Sequence, residues 1–361
     1  MRPNKRLGQH FLVDESFLDR IVEAAELGAA DTVLEVGPGL GILTEALCAQ
    51  AGRVIAVEID EAMLTILTDR LGRVPNLSIV AADILAVDPV ALLDAVAAAD
   101  GAPGVAADGP GGGADRADVE ATVYALTGAA PPVVRNAAAA PAHFGPLRPN
   151  YKVVANLPYY ITSAVLRRLL EARERPARAV VMVQKEVADR ITAAPGNMSI
   201  LAVAMQLHAA VRRVAIVPPG AFHPAPKVSS AVLQLALHPV PPVDVKDIRA
   251  FFKVVRAGFG QKRKQLKNSV AAGLHIADAQ AVAALHRAAI DPSRRAQTLT
   301  LAEWAALTAA ALADGLVAAS EDDARGPGTA WASPSPSPSD EPTSSTKPAA
   351  TPRADDGDAW V

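Results

Sequence analysis

The chain has 361 residues, half of them apolar and only 4% aromatic, with a formal net charge of −3. That length allows two domains and a sizeable core. The single cysteine, Cys48, excludes an internal disulfide and reads as a buried thiol in a reducing compartment.

No run of eighteen uncharged apolar residues reads as a membrane helix. The basic start Arg2-Pro3-Asn4-Lys5-Arg6 leads into no signal-peptide core, so a cytoplasmic protein without membrane contact is expected. The negative charge is concentrated in two stretches. Residues 320–361 carry eight acids and three bases, and residues 94–150 carry six acids and three bases, which leaves about +5 on the remainder. The acidic balance therefore does not exclude a nucleic-acid partner.

In chain order, Asp14 or Ser16 caps a predicted helix reaching about residue 27, with Phe17, Leu18, Ile21, Val22 and Ala25 at helical spacing. Strands follow over 32–36, 53–57 and 77–80, alternating with helices over 42–50 and 61–71. This rhythm predicts a parallel, doubly wound sheet. From about 94 to 150 the chain turns rich in Ala, Gly and Pro, including Gly109-Pro110-Gly111-Gly112-Gly113. It is read as a flexible insertion, with one strand or helix patch around 119–126.

The rhythm resumes at Tyr151 with a strand, then a helix capped by Thr162 or Ser163, a strand over 179–183 and helices to 191 and over 199–209. Strands over 211–217 and 230–237 flank a proline-stiffened loop and suggest a hairpin-like sheet edge. Helices alone follow: 245–258, 263–272, 278–284 and 301–314. The expected division is an α/β domain over 1–244, a helical domain over 245–319, and a disordered Ser/Pro-rich acidic tail over 320–361.

Chemistry gathers at predicted strand ends. Gly37, Gly39 and Gly41 with Pro38 form a tight turn after the first strand. A dinucleotide fingerprint would place its third glycine at position 42, where Ile42 stands, and this counts against NAD. Glu58 ends the second strand, where a carboxylate accepts ribose hydroxyls. Asp83 closes the third strand and suits an adenine amine. The strand ending Glu-x-Gly-x-Gly-x-Gly resembles the first motif of S-adenosylmethionine-dependent methyltransferases, where Glu35 either reaches the methionine end of the donor or braces the turn. At a fourth strand end stands Asn156-Leu157-Pro158-Tyr159-Tyr160. Pro158 stops the strand and leaves an amide, carbonyls and aromatic faces at the edge where open α/β sheets bind ligands.

These pieces resemble the small-subunit ribosomal RNA adenine dimethyltransferases. The matching segments are Lys5-Arg6-Leu7-Gly8-Gln9-His10-Phe11-Leu12, Glu35-Val36-Gly37-Pro38-Gly39, Val57-Glu58-Ile59-Asp60, Asp83, Asn156-Leu157-Pro158-Tyr159-Tyr160, Gln184-Lys185-Glu186, 222–228 and 261–268. Tyr160 differs, standing where an Asn is frequent. The resemblance implies a Rossmann-like seven-stranded S-adenosylmethionine-dependent methyltransferase fold with a small all-helical C-terminal domain. It places His10, Leu12, Glu35, Gly37, Gly39, Glu58, Asp83 and Asn156 on the donor. It also implies 16S rRNA in a 30S precursor as partner, a monomer, and no metal.

The expected reaction is in-line methyl transfer to adenine N6. Asn156 and the Leu157 carbonyl accept the amine hydrogens, Pro158 shapes the lip, Tyr159 stacks on the base and Phe222 closes its other face. Lys246, Arg249, Lys253, Arg256, Lys262, Arg263, Lys264 and Lys267 face one acid, Asp247, and suit phosphate contact. His208, His223 and His275 show no metal spacing. The rival readings are a large-subunit rRNA adenine methyltransferase of the macrolide-resistance type and a non-catalytic RNA- or transcription-binding relative.

Overall fold

A computed structural model describes residues 9–101, 122–124 and 146–319. The chain opens with a short strand, β1 (Phe11–Leu12), and helix α1 (Glu15–Ala25), capped by the Asp14 carboxylate on the Ser16 N–H. Three βα units follow: β2 (Thr32–Val36), α2 (Ile42–Cys48), β3 (Arg53–Glu58), α3 (Glu61–Leu71), β4 (Leu77–Ala81) and α4 (Pro89–Gly101). Next come β5 (Thr122–Tyr124), β6 (Leu147–Asn156), α5 (Thr162–Leu170), β7 (Arg175–Gln184), α6 (Lys185–Ile191), α7 (Ile200–His208), β8 (Ala209–Val217), β9 (Phe222–His223) and β10 (Ser230–Leu237). Four helices close the described chain: α8 (Ile248–Phe259), α9 (Leu266–Leu274), α10 (Asp278–Arg287) and α11 (Leu301–Ala313). Among the described residues no helix is long and apolar enough to cross a membrane.

The sheet order is β5-β4-β3-β2-β6-β7-β10-β8. Strands β4, β3, β2, β6 and β7 run parallel, and β10 is antiparallel to both β7 and β8. The expected seven-stranded sheet is thus present, with the predicted hairpin-like edge. An eighth strand, β5, adds antiparallel to β4 from inside the 94–150 stretch, at the patch predicted for 119–126.

The folded borders of that stretch differ from the expectation. Helix α4 runs on to Gly101 and β6 starts at Leu147, because both borders have partners: Leu92, Leu93 and Val96 pack into the core, and Leu147 pairs with Arg175. The remainder of the predicted insertion, the Lys5–Gly8 start and the 320–361 tail lie outside the described residues.

The central strands are buried on both faces, as parallel strands covered by helices are. Side chains alternate between two cores with the period of two that a pleated strand imposes. Leu34, Val36, Ile55, Val57, Val153 and Ala155 face α4, α5, α6 and α7. Val33, Val54, Ala56, Ile79 and Val154 face α1, α2 and α3. A third core holds the helical region, centred on the fully buried Trp304. Gly258 on α8 is required there, since a Cβ would lie 2.4 Å from the Trp304 ring.

Helix α7 belongs to both sides. Leu201, Ala204 and Met205 pack on the sheet, while Ala202, Val203 and Leu207 pack on the helical core. The sequence places the helical unit's start at about 245, but its core reaches back to Met198.

Candidate active site

Register brings the four predicted strand ends into line. Val36 pairs with Val57 and with Ala155, and Glu58 pairs with Ala81. Gly37, Glu58, Asp83 and Asn156 therefore meet along one edge, which is where a parallel sheet exposes ligand-binding groups. They line a cavity of about 270 Å³ together with Gln9, His10, Phe11, Leu12, Glu35, Gly39, Leu157, Pro158, Tyr159 and Tyr160.

The glycine turn is built for close approach. Gly37, Gly39 and Gly41 all have positive φ (71°, 54° and 78°). At Gly39 a Cβ would press on the Phe11 ring at 2.9 Å, so a side chain there would both strain the backbone and displace the Gln9–Leu12 segment.

Glu58 is held rather than free. Its Oε1 accepts the N–H groups of Ile59 and Asp60 at 2.9 Å each, and its Oε2 accepts the Gly39 N–H at 3.3 Å. Burial pushes its carboxyl up and these three donors pull it back. With Oε1 already taken by two donors, Oε2 is the oxygen left for ligand hydroxyls. Asp83 spends one oxygen on the Leu85 N–H at 2.8 Å, which leaves the other for a ligand donor.

Glu35, read from the sequence as reaching the donor or bracing the turn, lies in the cavity wall. It is 1% exposed, and its Oε2 is buried without a hydrogen bond. Burial pushes its carboxyl up to about 8; the adjacent Thr44 hydroxyl opposes that rise and the Glu58 charge adds to it. Burial thus favours its protonated form, a potential hydrogen-bond donor in the cavity wall.

The Gln9–Leu12 segment closes the cavity from a distant part of the sequence. β1 pairs with β9, and the Gln9 amide donates to Asp60 at 2.8 Å. His10 Nδ1 lies 2.8 Å from the Pro224 carbonyl, which can only accept, so Nδ1 carries the proton. The His10 carbonyl accepts from Asn156 Nδ2 at 3.2 Å. That contact orients the amide: its nitrogen faces His10, and Oδ1 is left as an acceptor. Tyr159 stacks on the His10 ring, with centroids 6.0 Å apart, and its hydroxyl shares a 2.8 Å hydrogen bond with Ser230. The Pro224 carbonyl and Ser230 are contributors to which the sequence reading gave no role: Pro224 lies in the matching 222–228 segment, but its contact with His10 spans 214 residues, and Ser230 opens a strand with no local chemical signal.

Phe222 is 5% exposed and packs beside Leu12, which lines the cavity, and Val232. Its backbone pairs with Leu12 and anchors β1. Thr162 differs from the expected cap: it is the first residue of α5, and its hydroxyl donates to the Pro158 carbonyl instead of capping. His208 is structural, 3% exposed and pushed down to about 3 by burial and the nearby Arg175 charge.

S-adenosylmethionine fits this cavity. Acceptors stand at Glu58 and Asp83, the glycine backbone leaves space that a Cβ would fill, and the Glu35 Oε2 is buried without a partner. Away from the cavity, Lys253, Lys262, Arg263 and Lys264 are exposed on and after α8, while Arg249, Arg256 and Lys267 are partly covered. Arg256 lies near Arg167 of α5, the helix that follows the Asn156–Tyr160 lip, and near Glu171 at the C-terminal cap of that helix.

A family model described as ribosomal RNA adenine dimethylase matches residues 1–307. A ribosomal RNA small subunit methyltransferase A from Dehalococcoides mccartyi is 40% identical over 304 residues, covering 84% of this chain and 87% of the relative. The protein of the same name from Pelotomaculum thermopropionicum is 41% identical over 308 residues, covering 84% and 90%. Among solved structures, a dimethyladenosine transferase from Plasmodium falciparum has a TM-score of 0.60 at 22% identity, covering 85% of this chain and 98% of that one. The 23S rRNA methyltransferase ErmE has a TM-score of 0.57 at 24% identity, covering 83% and 98%. At those identities the two structures establish the shared fold. The match across residues 1–307, together with relatives at 40% identity over most of their length, establishes more: the chain belongs to the ribosomal RNA adenine dimethylase family.

Proposed function

We propose that the protein transfers methyl groups from S-adenosylmethionine to N6 of two adjacent adenines near the 3′ end of 16S rRNA, giving dimethyladenosines during 30S biogenesis. The observation that carries the chemistry is Asn156, whose amide is turned by the His10 carbonyl so that Oδ1 accepts. Relatives at 39–41% identity are named for the small subunit, which favours this substrate over the large-subunit reading.

The donor supplies a methyl carried on a sulfonium. Glu58 Oε2, the free Asp83 oxygen and the glycine backbone hold it, with His10, Leu12 and Glu35 on the wall. On the acceptor side, Asn156 Oδ1 and the Leu157 carbonyl accept the two hydrogens of the amine. This favours a more pyramidal nitrogen, with its lone pair directed into the cavity. Pro158 fixes the backbone between them. Tyr159, pinned by Ser230 and His10, offers its ring to the base, a contact worth roughly 1–3 kcal/mol. A stacked adenine must first be splayed out to reach this lip. Catalysis is then mainly a matter of positioning.

The exposed bases of α8 and the turn after it are read as phosphate contacts that deliver the RNA strand. The working form is a cytoplasmic monomer acting on a 30S precursor. The test is labelled donor with small subunits lacking the modification, followed by nucleoside analysis. Dimethyladenosine in small-subunit RNA is expected; label confined to large-subunit RNA would overturn the substrate assignment.

A further inference from the structure

The two tyrosines of the lip have different surroundings. Tyr159 is hydrogen-bonded to Ser230 on β10, two strands beyond β6 on one side. Tyr160 shares the cavity wall with Glu58, Ile59 and Asp83, which end or follow β3 and β4 on the far side of β2. Burial and then the Asp83 and Glu58 carboxylates push its phenol up. It lies on the cavity wall yet is 56% exposed.

Six large apolar side chains are strongly exposed among the described residues, and two of them line this cavity: Tyr160 and Ile59, the latter at 55%. Apolar surface left open at the mouth of a polar-floored cavity is what a flat, partly apolar ligand covers.

We infer that Tyr160 and Ile59 form the outer wall of the donor site, closing over the nucleoside half of S-adenosylmethionine above Glu58 and Asp83. The inference rests on the cavity being the donor site and assigns a role to the residue that departs from the family pattern. Lip and wall are then consecutive residues. Asn156 to Tyr159 face the acceptor adenine, and Tyr160 faces the donor. One rigid turn, Tyr159–Ile161, sets both.

Calorimetric titration of the full chain with S-adenosylmethionine and with 5′-methylthioadenosine tests this, because the second ligand keeps the nucleoside and lacks the amino acid. Tyr160→Ala should weaken both ligands by the same factor, about tenfold. Tyr160→Phe should stay within about twofold of the parent, since the ring supplies the contact. Ile59→Ala should weaken both ligands in parallel. Parent-like affinity of Tyr160→Ala for both ligands overturns the inference, as does a loss seen with S-adenosylmethionine alone. Failure of the unaltered protein to bind either ligand would instead refute the donor-site reading itself.

Discussion

The cavity at the strand ends and the basic surface of α8 and the following turn solve different binding problems. In the cavity, Glu58 is buried and tied to three backbone N–H groups, Asp83 is tied to one, and the turns at Gly37–Gly41 and Pro158 are shaped by glycine and proline. On the basic surface, Lys253, Lys262, Arg263 and Lys264 extend into solvent from helix and turn. A small donor must be held in one orientation, which demands rigid, desolvated groups. A polyanion is attracted by charge over a distance and tolerates mobile side chains. Precision is therefore concentrated within a few ångströms of Asn156, while affinity for RNA is spread over many residues.

The sharpest way to break this contrast is Asn156→Ala. Transfer should fall by about a thousandfold or more while donor affinity changes only severalfold, because the removed acceptor serves the amine. Single-turnover rates with calorimetric donor binding check it, and a variant with full activity would remove Asn156 from the mechanism.

The next effect concerns the cost of the buried floor. The folded value of Glu35, about 8, lies above its ordinary 4.5, so over that window the unfolded chain ionises while the folded one stays protonated. Stability attributable to this group is fully present below about 4.5, falls as pH rises, and levels off above about 8. Glu35→Gln should flatten that decline, a relative gain on the order of 3 kcal/mol at pH 7. Urea denaturation at pH 5 and pH 8 measures it; equal pH slopes in parent and variant would mean that Glu35 is ionised in the fold.

The smallest effect belongs to the dispersed surface. Lys262→Ala with Lys264→Ala should weaken rRNA binding severalfold and lower the salt slope by roughly 1.5, while leaving donor affinity unchanged. An unaltered salt slope would place the RNA on another face.

Much of this was legible without coordinates. Strand ends at Glu58, Asp83 and Asn156 follow from apolar runs stopped by polar or proline residues, and the period of two fixes which residues are buried. The helix cap at Asp14 and the glycine turn are local features, and local features are written in neighbouring residues. The long Ala/Gly/Pro-rich stretch was harder. Its borders became α4 and β6 because their partners, the core around Leu92 and the strand at Arg175, lie far along the chain.

The sequence alone determined the sheet's alternation, the set of polar groups at its edge and the family those groups resemble, because each depends on short-range pattern. Only the tertiary structure decided how the groups act. It brought the Pro224 carbonyl to His10 and the His10 carbonyl to Asn156, across 214 and 146 residues of chain. It packed Phe222 beside Leu12, pushed the Glu35 carboxyl up by burial, and tied the Tyr159 hydroxyl to Ser230. Hydrogen-bond direction, desolvation and side-chain facing are properties of what surrounds a residue, and those surroundings are assembled from segments that no local pattern connects.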